Sequence, residues 1–216
     1  MLLSPLLALA LAAAPVSCDG GAAVSATART PVPALDTLAA LYDAGVEWAA
    51  FLEGVRARRQ TWQNNYAAAS VDASIVERLE RVLGRWRFLV VAVDACGDSA
   101  HTIPYLARLV EASDRLELRV VSPVDGAWVM ESHRTADGRA ATPTVVLLDD
   151  LGAERGCWVE RPYALRQVLE EQRAGTIPGS FIEVITAWRR EDQGRSTFED
   201  MTALLEAAAA GTVRCP

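Results

Sequence analysis

The chain has 216 residues, 51% hydrophobic and 23% charged, with a formal net charge of -7. That length suits one domain with additions, and the apolar share suffices for a packed core. The acidic balance and the lack of a basic stripe exclude a nucleic-acid partner held through its phosphates, and the densest basic group, Arg56, Arg58 and Arg59, reads as a solvated helix face.

In chain order, Met1 to Ala14 is an apolar run rich in Leu and Ala. It is too short to span a bilayer comfortably and reads as the core of a secretory signal. Residues 1–17 are therefore expected to be a signal peptide, which makes the protein an exported one of the periplasm or cell envelope with no integral span in its mature form. Ala12, Ala13 and Ala14 offer small residues for cleavage, whereas Pro15-Val16-Ser17-Cys18 before Asp19-Gly20-Gly21 resembles a bacterial lipoprotein signal with Cys18 lipidated as an anchor. No Lys or Arg precedes the run and Pro15 stands where a lipobox usually carries Leu, so a cytoplasmic protein is the alternative. Residues 18–34, small and Pro-containing, read as a linker.

Residues 35–85 are expected to form an N-terminal helical extension: one amphipathic helix from Asp36 to about Arg58, an irregular polar-aromatic stretch from Gln60 to Ala69, and a second helix begun by Asp72 or Ser74 and ended near Gly84. Both helices read as packing elements without a chemical group. Residues 86–208 are expected to be an α/β domain with a C-terminal helix. Arg87 to Asp94 is a continuous β-branched run and reads as a buried strand. Ser99 to Ser113 reads as a helix kinked at Pro104. Strands follow at Arg115–Ser122, Thr144–Asp149 and Glu154–Val159, with a short helix over Gly126–Arg134 and another from Pro162 to Glu171. The strand–helix–strand order implies parallel pairing, and the last two strands form an antiparallel hairpin. Trp188 reads as packing on the sheet, and the last helix ends at the Ala207–Ala210 run.

Cys96-Gly97-Asp98-Ser99 sits where the first of these strands gives way to a helix. There a cysteine meets the positive end of the helix dipole and unpaired N–H groups, both of which favour thiolate. The second position of a dithiol site is Ser99, whose hydroxyl is a poor nucleophile toward sulfur but can donate a hydrogen bond to Cys96. Asp98 both opposes a thiolate by charge and suits a first helical turn. The other cysteines, Cys18, Cys157 and Cys215, are too spread for a disulfide framework; with Cys96 they allow three complete pairings, and the sequence assigns none. No Cys-x-x-Cys or Cys/His spacing points to a metal, and no cofactor motif is found. Cys157 reads as a buried, inert edge-strand cysteine, and His101 and His133 as solvated. Val93 occupies the place where a peroxide-reducing thiol enzyme usually carries threonine.

With Cys-x-x-Ser after the first strand and Ala141-Thr142-Pro143 before the third, this order resembles the thioredoxin fold. It is similar in particular to a bacterial thioredoxin-like family with a Trp-Cys-Gly-Asp motif. The matching residues are Ala95-Cys96-Gly97-Asp98, Pro104, Ala141-Thr142-Pro143, Trp158-x-x-Arg161-Pro162 and Ala187-Trp188-Arg189-Arg190-Glu191-Asp192-Gln193-Gly194, a likeness running from about Leu35 to Leu205. Ala95 replaces the family's tryptophan, and Ser122-Pro123 replaces its Arg-Asp after the second strand. The resemblance implies a cis proline at Pro143 facing Cys96, with Thr142, Gly97 and Asp98 meeting the substrate. It implies a monothiol protein in which Cys96, aided by Ser99, exchanges with a protein or low-molecular-weight disulfide and an external thiol resolves it. The alternative is a binding module that has kept the scaffold without the chemistry.

Overall fold

A computed structural model describes residues 36–215. The expected signal peptide, Cys18 and the linker lie outside the described residues. The elements are α1 (Leu38–Ala44), β1 (Val46–Glu47), α2 (Trp48–Gly54), α3 (Arg59–Ala68), α4 (Ala73–Arg81), β2 (Trp86–Val91), α5 (Gly97–Ala100), α6 (Ile103–Glu111), β3 (Leu116–Val121), α7 (Ala127–Ser132), β4 (Thr144–Leu148), β5 (Glu154–Val159), α8 (Tyr163–Arg173), α9 (Phe181–Asp192) and α10 (Arg195–Ala209).

The strands form one mixed sheet in the order β1-β3-β2-β4-β5, with β2 and β3 parallel and every other pair antiparallel. Side chains alternate across it, as a period of two requires. Phe88, Val90, Val145 and Leu147 face a core shared with α2, α3, α4, α6 and α10. Leu89, Val91, Val146 and Leu148 face the other way, against Leu41 and Tyr42 of α1 and Val129 and Met130 of α7. Both faces are thus buried, which is why β2 and β4 read as unbroken apolar runs. This is the α/β architecture expected from the sequence, and no helix among the described residues is long and apolar enough to cross a membrane.

Three stretches depart from the periodicity reading. Residues 36–58 are not one helix: the chain is extended at Gly45 and Val46–Glu47 pairs with Val120 and Arg119 of β3. A Cβ on Gly45 would stand 2.9 Å from Arg119 Cβ, so glycine lets the strand approach. Residues 60–69 are helical rather than irregular. The fully buried Trp62 decides this, packing 5.2 Å from Phe51 and 6.2 Å from Trp48 between ring centroids. The helix expected over 99–113 is two helices with a break at His101–Thr102, and Pro104 lies in the first turn of α6, where its missing N–H costs no helical bond.

The C-terminal part is a helical pair joined at Gln193–Gly194. Ser180 and Glu183 form a reciprocal capping box at the start of α9. Trp188 packs with Leu165, Leu169 and Ile185 between α8 and α9, not on the sheet. Arg78 of α4 grips Glu206 of α10 with two bonds of 2.8 Å, and Trp158 Nε1 donates to Asp200 at 2.9 Å. Gly194 has φ +84°, and a Cβ there would overlap the Tyr105 ring. Gly194→Ala therefore forces the α9–α10 corner off α6 while straining the backbone. The urea midpoint is expected to fall, by the equivalent of about 1–3 kcal/mol for an overpacked site, and the tryptophan fluorescence transition reads it.

Candidate functional site

The loop from Asp94 to His101 joins β2 to α6 and carries Cys96, which is 2% exposed. The Cys96 S–H points to the carbonyl oxygen of Thr142 at 3.3 Å, and the backbone N–H of Ser99 donates to its sulfur at 3.5 Å. The Thr142–Pro143 peptide bond is cis. The structure thus brings Cys96, Ser99, Thr142 and Pro143 together, but not in the manner expected in every respect. The sulfur is buried. It is the Ser99 amide, not its hydroxyl, that reaches the sulfur. The hydroxyl oxygens of Ser99 and Thr142 are both buried and find no hydrogen-bond partner among the described residues, although both residues touch Cys96 through their backbones.

Asp98 is 4% exposed and its carboxylate is turned into the protein. Arg161 binds it with two bonds, 3.2 Å from Nε and 2.8 Å from Nη2, and Arg189 of α9 donates to the same carboxylate. Arg161 also pairs with Glu160 at 3.0 Å, and Glu160 takes two bonds from Arg139 at 3.1 and 3.0 Å. Charges alternate along this chain, so each buried carboxylate has the paired and hydrogen-bonded surroundings it requires. The space left beside Asp98, bounded by His101, Tyr105 and Trp188, is only about 10 Å³. That holds at most a water molecule, so this cluster is an anchor and not a ligand pocket.

On its other side the loop is held by the extension, which was expected to carry packing groups only. The backbone N–H groups of Arg56 and Ala57 both donate to Asp94 Oδ2 at 2.8 Å, and Trp62 Nε1 donates to the Asp94 carbonyl at 3.0 Å. Arg58, in the left-handed region at φ 51°, donates from Nε to the Ala95 carbonyl at 2.7 Å. A Cβ on Gly97 would lie 3.7 Å from the Arg58 guanidinium carbon, so a fixed cation sits one residue from Cys96. Arg58 is therefore not part of a plain solvated face. Beside this strap, an open groove of about 440 Å³ is lined by Phe51, Val55, Val93, Ser122 and Pro123.

The remaining candidates fall elsewhere. Cys157 is buried as expected but not inert: it is disulfide-bonded to Cys215. His133 is not solvated, with its side chain 8% exposed and Nε2 3.0 Å from Glu154. Nor is His101, which meets Asn65 Nδ2 at 3.1 Å. Burial above all, then the Arg189 and Arg58 cations, holds His101 down to about 4 against the opposing charge of Asp98. Of these features Arg58, Asp94 and the arginine pair on Asp98 were not found by spacing. The quoted motifs contain Arg161 and Arg189, but they lie 63 and 91 residues from Asp98.

A family model described as Thioredoxin matches residues 45–174. The chain belongs to that family, and its mixed five-strand sheet flanked by helices is a thioredoxin-like domain. No curated protein matches it. Among solved structures, a Pseudomonas aeruginosa protein of unknown function has a TM-score of 0.63 and 24% identity, over 80% of this chain and 98% of that one. An HIV epitope-scaffold has a TM-score of 0.62 and 24% identity, over 79% and 98%. Both likenesses concern the fold.

Two outcomes are expected. Asp98→Asn removes the charge that both arginines share, leaving Arg161 with Glu160 alone and taking the Asp98 charge from Arg189. The loss of stability is about 3–5 kcal/mol, read from urea unfolding. His101 titrates below its ordinary 6.5, so the unfolded chain takes up this proton first as pH falls. Stability contributed by the neutral ring is complete above about 6.5 and is lost as pH drops toward about 4. The difference in unfolding midpoint between His101→Gln and the parent should change across that window and level off on either side of it.

Proposed function

We propose that this protein exchanges thiols and disulfides through Cys96 alone, as the monothiol member of the family that its resemblance to the Trp-Cys-Gly-Asp branch implies. The observation that carries this reading is the Cys96 sulfur lying 3.3 Å from the Thr142 carbonyl beside Pro143, with the Ser99 amide donating to it. The orphaned hydroxyls of Ser99 and Thr142 support it, because buried polar oxygens without partners are costly unless an incoming group satisfies them. The groove beside Val93 and Pro123 gives an extended partner segment room next to the loop.

In the first step the Cys96 thiolate attacks one sulfur of a protein or small-molecule disulfide. A mixed disulfide forms on Cys96, and the other half leaves as thiolate. In the second step an external thiolate attacks the partner's sulfur in that mixed disulfide, releasing Cys96 as thiolate and carrying the partner away as a new disulfide. Resolution is intermolecular: Ser99 supplies no sulfur, and Cys157 is bound to Cys215. Asp98 acts by fixing the loop, Gly97 lies beside the Arg58 guanidinium, and Thr142 presents its backbone. We place the protein outside the cytoplasm, on the apolar run at residues 1–14 and on the disulfide, which persists in oxidising compartments. Lipid on Cys18 would tether it there.

The second reading, a binding module without chemistry, is favoured by the 2% exposure of Cys96. Intact mass after incubation with oxidised glutathione separates the two. Folded protein is expected to gain one glutathione on Cys96, removed by added thiol, and Cys96→Ser gains none there. Arg58→Ala, lacking the nearby cation, is expected to react roughly threefold more slowly near neutral pH, because a smaller thiolate fraction is partly offset by a more nucleophilic thiolate. Adduct on Cys96 only after unfolding in urea would leave the module reading. The same spectrum, from protein purified without reductant, reads removal of residues 1–17 and any lipid on Cys18.

A further inference from the structure

The Cys157–Cys215 disulfide lies among other metal-ligand groups. Cys157 is in edge strand β5, Cys215 in the tail that follows α10, and His133 just beyond α7. The donor atoms of His133, Cys157 and Cys215 all lie within 4.8 Å of one another. Glu154, three residues before Cys157 on β5, adds a carboxylate oxygen 3.0 Å from His133 Nε2 and 3.7 Å from Cys215 Sγ.

The hydrogen bonds of His133 orient it as a ligand. Its Nδ1 stands 2.8 Å from the Val129 carbonyl, which can only accept, so Nδ1 carries the proton. In the neutral ring Nε2 then presents a lone pair directly to the Glu154 oxygen 3.0 Å away. Two electron-pair donors at that separation call for a cation between or beside them, either a proton or a metal. An imidazole fixed through Nδ1–H to a carbonyl, with Nε2 outward, is the usual posture of a metal-ligating histidine.

We propose that reduction of the Cys157–Cys215 bond converts this cluster into a zinc site with Cys157, Cys215, His133 and Glu154 as its four ligands. Two thiolates, one imidazole and one carboxylate make a tetrahedral donor set that suits zinc over magnesium or calcium. The chemistry balances as follows. A dithiol reductant gives two electrons and two protons to the disulfide, becoming a cyclic disulfide itself and leaving two thiols. Binding of one zinc ion then releases both thiol protons to solvent and forms two zinc–sulfur bonds.

The ligands stay gathered when the bond opens, because the tail is also pinned by its backbone. Cys157 N–H donates to the Arg214 carbonyl at 2.8 Å, and Gly156 bridges to Arg214 in parallel register. A Cβ on Gly156 would stand 2.6 Å from the Arg214 carbonyl oxygen, so this approach exists because residue 156 is glycine. Cys215 is exposed, and turning its side chain separates the sulfurs to the roughly 3.3–3.8 Å between ligands that zinc bond lengths of about 2.0–2.3 Å require. Nothing in this depends on Cys96.

The test uses the full chain carrying Cys18→Ser and Cys96→Ser, so that only the two paired cysteines remain. The protein is reduced with a phosphine, desalted without oxygen, and titrated with cobalt(II) as a spectroscopic stand-in for zinc. The expected result is one equivalent of cobalt with thiolate charge-transfer absorption and the strong visible bands of a tetrahedral ion, bleached by one equivalent of zinc. Oxidised protein shows none of this. Cys215→Ser, at an exposed position, loses the charge-transfer band. His133→Gln weakens binding by at least about tenfold, and Glu154→Gln, on a partly exposed side chain, serves as the second variant should His133→Gln not fold. Absence of the bands in the reduced parent overturns the proposal, and so does cobalt binding that Cys215→Ser leaves unchanged.

Discussion

A single carboxylate inside the protein, that of Asp98, governs how the loop carrying Cys96 is built. A buried anion is stable only when its charge is met and its lone pairs are filled. Asp98 satisfies both needs by drawing in Arg161 from the end of β5 and Arg189 from α9. Arg161 in turn engages Glu160, and Glu160 engages Arg139. One short turn of helix is thereby tied to the sheet edge, to the loop before Pro143 and to the C-terminal helical pair. Asp98, Arg161 and Glu160 each meet two charges of opposite sign, so the elements around Cys96 hold their places together.

The opposite flank of the loop is secured by different means. Asp94 accepts two backbone N–H groups from residues 56 and 57, and Arg58 and Trp62 close on the carbonyls of Ala95 and Asp94. Residues 36–85 are thus part of the site's framework. They contribute β1 to the sheet and share the core of α6 and α10. A sulfur gripped from both flanks has a fixed position and little solvent contact.

The strands were readable because their residues obey a local rule. The β-branched runs in β2, β3 and β4 and the hairpin into β5 announce themselves without tertiary information. The helices of the extension were less so. Gly45 and the pairing of Val46 with Val120 break a pattern that periodicity alone carries through, and Trp62 enforces helix on a polar stretch by burial. At the site, Cys96 and the Thr142–Pro143 pair were legible as motifs. The partners of Asp98, the role of Arg58 and the Cys157–Cys215 bond were not. Each joins residues at least 37 positions apart, and nothing in the local sequence of either member names the other.

The pairing of Arg214 with Gly156 has a consequence for the molecule's behaviour in company. A sheet ends where backbone donors and acceptors are left open, and such margins recruit strands from other molecules. Here the tail lies along β5 and occupies part of that margin, while the far margin is the two-residue β1 with Glu47 facing solvent. Main chain thus shields one border, and brevity and charge shield the other. A crowded solution offers this sheet few places to grow.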